Sequence, residues 1–162
     1  MNMNINSLSQ KYSVRKLDEN DVDIIYDMSC KNDIFYQYHP PFVTRESILD
    51  DMGALPPGKG YDDKFYVGFF ENDSLVGLMD LILDYPEKEI SFIGLFMTDT
   101  RYQNRGVGSG IISDVILCLK SSGYKEIRLG VDKGNPQSYS FWTKNKFTPI
   151  REDTYILMGL RI

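Results

Sequence analysis

Residues 91–121 constrain the fold more than any other stretch of the chain. Residues 91–98 are mostly apolar and aromatic, as a largely buried strand requires, and residues 99–105 are polar. Apolar residues then recur at offsets three, four, seven, eight and eleven from Gly108, which is the period of an amphipathic helix. The stretch therefore predicts a strand, a glycine-rich turn and a helix in direct succession.

Three glycines, Gly106, Gly108 and Gly110, lie at the start of this predicted helix. Because they carry no side chain, a ligand can approach the main chain where the first N–H groups of a helix have no intrahelical partner. The helix dipole favours anions at such an end, and Arg101 and Arg105 add positive charge beside it. The turn therefore indicates a site for a phosphate or a pyrophosphate group.

The spacing of the glycines excludes two common nucleotide-binding motifs. A Walker loop requires a Gly-Lys pair followed by Ser or Thr, and the only Gly-Lys pair, at residues 58–59, is followed by glycine. A dinucleotide-binding fingerprint requires a third glycine at the position that Ile111 occupies. The turn instead reads Q-x-x-G-x-G over residues 103–108, directly after the predicted strand and directly before the predicted helix.

This motif resembles the loop that wraps the pyrophosphate of acetyl-CoA in the GNAT superfamily of N-acetyltransferases. A second segment, NPQSYSFWTKNKF at residues 135–147, is similar to that family's Asn-led helix, which ends in an aromatic, a Lys and a Phe. The resemblance also implies that the pantetheine arm lies between two splayed strands, where it pairs with the backbone of residues 96–98. The implied cofactor-binding residues are Phe96, Met97, Thr98, Gln103, Asn104, Arg105, Gly106, Val107, Gly108, Ser109, Asn135 and Trp142.

The order of the predicted elements indicates an α/β fold. Hydrophobic patterns and turn residues predict strands at residues 12–17, 65–70, 75–83, 90–97, 126–131, 148–150 and 155–160. Helices are predicted after Asp18 or Asn20, after Thr44, after the glycine turn and after Asn135. This order implies a mixed, mostly antiparallel central sheet of six or seven strands with about four helices on both faces, and the resemblance implies that this is a GNAT-like fold.

Length and composition predict a single domain over residues 1–162, because no linker-like or repeated stretch divides the chain, and the resemblance implies that this domain is GNAT-like. The formal charge of -5 argues against nucleic acid as the principal partner, since phosphate contacts need clustered Lys and Arg. The same acidic balance favours cations of the polyamine or aminoglycoside type over acidic substrates. The N-terminal residues lack signal-peptide character and no apolar run suits a membrane span, so we expect a cytoplasmic protein.

The cysteines and the single histidine argue against a metal site. Cys30 and Cys118 lie on predicted helices, so we expect buried thiols rather than a disulfide or a metal pair. No second histidine exists to bind a metal together with His39. A homodimer is compatible with the sequence, which does not determine the oligomeric state.

Residues 33–42, DIFYQYHPPF, form an aromatic segment that two prolines end. The resemblance implies that this segment forms one wall of the acceptor-substrate site, with Phe35, Tyr36, Tyr38 and His39 shaping it. Alternatively, the aromatic side chains simply cover the edge of the sheet. His39 is followed by proline, and we expect a packing or surface residue there rather than a catalytic base.

An acetyl thioester beside an open acceptor pocket implies acyl transfer to a nucleophile, and the resemblance implies that this nucleophile is an amine. An alkylammonium group has a pKa of about 10.4, so a base or a low-dielectric pocket has to promote loss of its proton. Asp80 is the candidate base, because a carboxylate within the apolar sequence GLMDLIL is costly unless it faces a cleft or a partner. Glu89 lies in a charged turn, where we expect a solvated surface acid.

The resemblance further implies a tyrosine that protonates the leaving thiolate, but Trp142 occupies that position. An indole cannot act as this acid, so Tyr139, which lies three residues earlier on nearly the same helix face, is the candidate. Tyr155 is an alternative. In a third interpretation the thiolate leaves unprotonated and is captured by water, and Trp142 packs against the cofactor arm.

Together these inferences predict an N-acetyltransferase that moves the acetyl group of acetyl-CoA to a primary amine. The acceptor is a small molecule or a peptide, and the transfer is direct within a ternary complex. A non-catalytic module that binds or senses acetyl-CoA is the alternative, because the expected tyrosine is missing. An acyl carrier of longer chains is a weaker third hypothesis.

Overall fold

Seven strands form one sheet in the computed structural model, which describes residues 3–162. The strands are β1 (Ser13–Lys16), β2 (Lys64–Glu71), β3 (Ser74–Ile82), β4 (Ile90–Thr98), β5 (Glu126–Val131), β6 (Thr148–Glu152) and β7 (Ile156–Arg161). Their order is β1-β2-β3-β4-β5-β7-β6, and within the described residues only β4 and β5 pair in parallel. The prediction of a mixed, mostly antiparallel α/β sheet is confirmed.

Five α-helices accompany the sheet in residues 3–162. They are α1 (Val22–Ser29), α2 (Asp33–Tyr38), α3 (Arg45–Gly53), α4 (Val107–Ser121) and α5 (Pro136–Lys144). The helix beyond the expected four is α2, which lies in the aromatic segment. Hydrophobic periodicity could not predict it, because periodicity reports a buried face and none of the residues of α2 is buried. None of the described helices has the length and apolar character that a membrane crossing requires.

Two helices begin at the capping residues that the sequence predicts. Thr44 precedes α3 and accepts a hydrogen bond from the N–H of Ser47, whose hydroxyl accepts one from the N–H of Thr44 in return. Asn135 precedes α5 and accepts hydrogen bonds from the N–H groups of Gln137 and Ser138. Each cap satisfies N–H groups that a helix start leaves without partners, which explains why the helices begin there.

Both faces of the sheet are covered by apolar side chains. On one face Ile111, Ile112 and Val115 of α4 pack against strand residues such as Val67 and Met79. On the other face α1 and α3 pack against β2 and β3, a cluster that includes Ile25, Met28, Ile48, Tyr66 and Leu78. Burial of this apolar area is the main stabilising contribution. The expectation of buried thiols holds for Cys118, whereas Cys30 is only half-buried.

Strands β4 and β5 separate partway along their length. Their pairing covers residues 90–93 and 126–129 only, and each strand then continues without the other, to Thr98 and Val131 respectively. A bulge in the pairing of β3 with β4 leaves Gly94 without a partner in the register, close to the point of separation. The splay that the resemblance implies is therefore present, and it leaves a gap in the centre of the sheet.

Candidate active site

Two adjoining cavities lie where β4 and β5 separate. The turn cavity has a volume of about 620 Å³ and lies beside the turn that precedes α4. The α2 cavity has a volume of about 380 Å³ and lies beside α2. Phe35, Phe96, Ser138 and Trp142 line both cavities, so a ligand in one would meet a ligand in the other at these four residues.

The backbone at the start of α4 presents unpaired N–H groups to the turn cavity. The first helical hydrogen bond runs from the N–H of Gly110 to the carbonyl oxygen of Gly106 at 2.9 Å. The N–H groups of residues 107–109 therefore have no intrahelical acceptor, and no side chain caps the helix. Gly106 has a φ of 76°, a left-handed conformation that favours glycine. This arrangement is suited to an anion.

Gly108 is required for close packing beside these N–H groups. A Cβ atom at Gly108 would lie 3.1 Å from Cε1 of Phe141, whereas a Cβ atom at Gly110 would meet nothing within 4 Å. The ring of Phe141 stacks on that of Phe96 with centroids 6.0 Å apart, and both rings line the turn cavity. A side chain at Gly108 would therefore crowd Phe141, whereas a Cβ atom at Gly110 would meet nothing.

The side chain of Gln103 holds the turn in place. Its Nε2 atom donates hydrogen bonds to Oδ1 of Asn32 at 2.7 Å and to the carbonyl oxygen of Thr98 at 3.2 Å. Farther along the turn, the hydroxyl of Ser109 accepts a hydrogen bond from Nδ2 of Asn145. The sequence alone does not indicate these contacts of Gln103 and Ser109, because Asn32 and Asn145 belong to other parts of the chain.

Trp142 lies at the junction of the two cavities. Its side chain is buried and its ring packs edge-on against Phe96, Phe141 and Phe147, at centroid distances of 5.9, 4.9 and 5.1 Å. These contacts fix the indole as part of the wall between the cavities. The predicted cofactor residues that line the turn cavity are Phe96, Met97, Thr98, Gln103, Asn104, Gly106, Gly108, Ser109 and Trp142.

Three predicted cofactor residues do not line the turn cavity. Arg105 is exposed, and Val107 packs against the core on the α4 face of the sheet. Asn135 is buried, and its amide caps α5 and donates to the hydroxyl of Ser138. Lys144, at the end of α5, does line the cavity, although sequence reasoning did not single it out. The sequence signal that could have identified Lys144 is its position within the segment at residues 135–147.

Asp80 lines the α2 cavity and is paired with a buried lysine. Its Oδ2 atom lies 2.9 Å from Nζ of Lys64, which also donates to the carbonyl oxygens of Asp51 and Ala54 at the end of α3. Burial raises the pKa of Asp80, and the hydrogen bond from Lys64 opposes this rise. The Oδ1 atom is buried and has no hydrogen-bond partner among the described residues. A ligand with a donor group would satisfy it.

Three of the four predicted acceptor-site residues, Phe35, Tyr36 and His39, line the α2 cavity, and Tyr38 does not. Nδ1 of His39 lies 3.0 Å from Oδ1 of Asp132, which follows β5, so this pair joins the two sides of the cavity mouth. Burial raises the pKa of Tyr36 to about 12, which keeps its phenol protonated at neutral pH.

Tyr139 lines neither cavity, and its side chain is exposed. Tyr155 lines the α2 cavity together with Tyr36, and Tyr102 lines the turn cavity. Glu89 lies at the surface, where it pairs with Lys125 at 3.0 Å. Residues 3–162 contain no cluster of His, Cys, Asp or Glu arranged to hold a metal ion.

The fold and the sequence agree with those of known acetyltransferases. The chain superposes on an acetyltransferase from Thermus thermophilus with a TM-score of 0.80, at 18% identity, over 94% of this chain and 97% of that one. It is also similar to the PaiA N-acetyltransferase of Thermoplasma acidophilum in complex with coenzyme A, with a TM-score of 0.70 and 18% identity. That match covers 93% of this chain and 98% of the other.

A third similar structure is the ribosomal-protein-S18-alanine N-acetyltransferase of Escherichia coli. Its TM-score is 0.66 at 15% identity, over 93% of both chains. At these identities the likeness establishes the fold alone. No curated protein sequence matches the chain. The family description "Acetyltransferase (GNAT) family" matches residues 27–147, which include the glycine turn, Asp80 and helices α2 and α5. The chain therefore belongs to the GNAT acetyltransferase family.

Proposed function

We propose that the protein is an N-acetyltransferase that moves the acetyl group of acetyl-CoA directly to a primary amine within a ternary complex. The acceptor is a small molecule or a peptide. The observation that carries the proposal is that a cavity with an open helix N-terminus adjoins a second, acidic cavity at Trp142. The coenzyme A complex of the similar Thermoplasma PaiA N-acetyltransferase supports coenzyme A as the acyl carrier.

In this proposal the pyrophosphate of acetyl-CoA binds the N–H groups of residues 107–109, where the helix dipole favours negative charge. The pantetheine arm follows β4 past Met97, in the gap that β5 leaves open. The thioester then lies at the junction of the cavities, near Phe96 and Trp142. Neither the phenyl ring of Phe96 nor the indole of Trp142 can act as an acid, so these two residues serve to position the arm and to exclude water.

The acceptor amine enters the α2 cavity as an ammonium ion and transfers a proton to the carboxylate of Asp80. The neutral nitrogen attacks the thioester carbonyl carbon, a C–N bond forms, and the C–S bond breaks as the electron pair leaves on sulfur. The nitrogen loses its second proton as the amide forms, and the thiolate takes up this proton through water or through a tyrosine, for which Tyr155 is better placed than Tyr139. A raised pKa suits Asp80 to this role, because a base whose pKa lies closer to neutral pH is more effective.

The charges of the α2 cavity support a cationic acceptor. Asp51, Asp80 and Asp132 line it, and His39 and the buried Lys64 are the basic groups in contact with them. Burial raises the pKa of Asp51 as it does that of Asp80. An acceptor with positive charge would be attracted to these carboxylates and would offset the cost of burying Asp80, whereas an acidic acceptor would add to that cost.

A pair of glycine variants tests the cofactor site. In wild-type protein, acetyl-CoA at about a hundred times its Kd should add about 2.7 kcal/mol to the free energy of unfolding and so raise the Tm. Gly108→Leu should abolish this rise, because the new side chain displaces Phe141 into the cavity. Gly110→Ala is the control and should retain the rise, since its Cβ meets nothing within 4 Å. Equal shifts in both variants would contradict the placement of the pyrophosphate.

Thiol release in the presence of an amine panel separates catalysis from sensing. The absence of a tyrosine at the position of Trp142 favours the alternative, a module that binds acetyl-CoA without transfer. Turnover with cationic amines supports the transferase. Tight binding of acetyl-CoA in calorimetry, with no thiol release on any amine, would favour the sensor.

A further inference from the structure

Asn32 touches none of the proposed reacting groups, yet its side chain joins three elements around the cavities. Its Oδ1 atom accepts the 2.7 Å hydrogen bond from Nε2 of Gln103 in the glycine turn. Its Nδ2 atom donates to the carbonyl oxygen of Met28 in α1 at 3.2 Å and to that of Thr98 at the end of β4 at 3.3 Å. The side chain is buried, and each of its three hydrogen bonds leads to another element.

Asn32 is also the residue from which α2 begins. Its carbonyl oxygen accepts the N–H of Tyr36 at 3.4 Å, and no side chain caps this short helix. No residue of α2 is fully buried, and only Phe35 and Tyr36 of this helix pack partly against the core, so packing holds α2 weakly. Its polar attachments are therefore important. Asn32 anchors its start to the turn, and the pair of His39 with Asp132 anchors its end to β5.

We propose that Asn32 is a positioning residue that transmits the occupancy of the glycine turn to α2. The inference rests on the proposed function, since the ligand of the turn is coenzyme A. A pyrophosphate on the N–H groups of residues 107–109 orders the turn and with it Gln103. Gln103 then holds Asn32, and Asn32 holds the start of the helix that carries Phe35 and Tyr36 into the α2 cavity.

The consequence is a linkage between the two ligands. Coenzyme A stabilises α2, which forms one wall of the α2 cavity. The acceptor amine therefore binds the cofactor-loaded protein more tightly than the free protein. By thermodynamic reciprocity the acceptor tightens the binding of coenzyme A by the same factor. Such factors are typically fivefold or more, and removal of the Gln103–Asn32 hydrogen bond should bring the factor close to one.

Hydrogen exchange measured by mass spectrometry tests this linkage with coenzyme A alone. In wild-type protein, saturating coenzyme A should slow the exchange of the amides of residues 33–38 about fivefold or more. Asn32→Ala, at a coenzyme A concentration that calorimetry shows to saturate this variant, should lose this slowing. Gln103→Glu should lose it as well, because two oxygens then face each other across the former hydrogen bond, and this variant leaves the buried Asn32 in place. Asp132→Asn is the control, since it weakens the opposite end of α2 and should retain the response.

A second readout is steady-state kinetics with the best amine of the panel. Asn32→Ala should raise the KM for that amine about fivefold or more while kcat changes little. Coenzyme A binding without any response of residues 33–38 in wild-type protein would overturn the role of Asn32 and leave the proposed transferase intact. An undiminished response in both Asn32→Ala and Gln103→Glu would do the same. Failure of wild-type protein to bind coenzyme A in calorimetry would instead overturn the proposed function, and this inference with it.

Discussion

Two aspartates illustrate how the environment of a single residue decides its chemistry. Asp21 receives two hydrogen bonds from the guanidinium of Arg15, at 2.8 and 3.0 Å, and these hold its pKa below the usual value. Asp80 also has a basic partner in Lys64, but burial raises its pKa. The difference follows from desolvation, which penalises the charged form of Asp80 more than the lysine favours it. Asp21 is thereby suited to stabilising the fold and Asp80 to accepting a proton.

The Asp21→Asn variant should be less stable than the wild type at pH 7, by about 1 kcal/mol. Because the pKa of Asp21 is lower in the folded than in the unfolded state, its contribution is complete above the unfolded value of about 3.9. The contribution is lost as the pH falls through the lower folded pKa. Urea unfolding at pH 7 and near pH 2.5 checks this, and a difference that is the same at both pH values would contradict it.

A Lys64→Met variant should change the pH dependence of the transfer reaction. Removal of the lysine takes away the group that opposes the rise in the pKa of Asp80, so that pKa should rise further. A base acts when deprotonated, and the acidic limb of the kcat/KM profile should therefore move to higher pH. Lys64→Arg keeps the cation and serves as the control.

The role of Asp80 itself is tested by Asp80→Asn, which should lower kcat/KM by about 10² to 10⁴ if the carboxylate takes the proton. If the pH profile of kcat/KM in Lys64→Met superimposes on that of the wild type, the ionisation of Asp80 does not control the rate.

At the scale of elements, α5 carries Trp142 to the junction of the cavities, and its N-terminal cap sets where the helix begins. Asn135 accepts two backbone hydrogen bonds there and is buried. A cofactor contact by this residue remains a prediction, since its amide already has partners within α5. The cap alone is enough to account for an Asn at this position.

Asn135→Ala should lower the free energy of unfolding by about 1 to 2 kcal/mol, because two N–H groups lose their acceptor in a buried place. Asn135→Asp keeps a capping oxygen and should retain most of the stability. Denaturant unfolding of both variants measures the difference. Equal losses in the two variants would mean that the Nδ2 donor, rather than the cap, is the important group.

At the scale of the whole molecule, the splay of β4 from β5 places two cavities in contact through the centre of the sheet. One cavity has N–H groups and the other carboxylates, so each suits a partner of opposite charge. The junction is lined largely by aromatic residues, which is suitable for a neutral thioester arm. The proposed transfer would then take place at this junction.

The only tryptophan of the chain, Trp142, should report the occupancy of this junction. Because its indole lines both cavities, titration with coenzyme A should change its emission with the Kd that calorimetry gives. An acceptor amine should produce a further change in the loaded protein. The Trp142→Phe variant supplies the background signal. An emission that stays constant at saturating coenzyme A would place the arm away from the junction.

Much of the fold and of the cofactor side of the site was predictable because the signals are local. The glycine spacing before α4, the Asn cap of α5 and the Thr44 cap of α3 each lie within one element and its flank. Helix α2 was missed, since a helix without a buried face has no hydrophobic period. Gln103 lines the turn cavity, and its side chain also bonds Asn32 and Thr98, partners that the local sequence could not indicate.

By itself, the sequence determined the elements other than α2, the sheet class and the turn that opens α4, because these depend on neighbouring residues and on periodicity. Its two motifs were enough to indicate the family by resemblance. Tertiary structure decided which distant polar groups meet. Gln103 bonds a residue 71 positions away, and His39 pairs with one 93 positions away. Lys64 reaches Asp80 across two paired strands. Such contacts depend on the order of the strands and on which residues become buried, and neither can be read from a single segment of the sequence. They distinguish the site from a generic cleft.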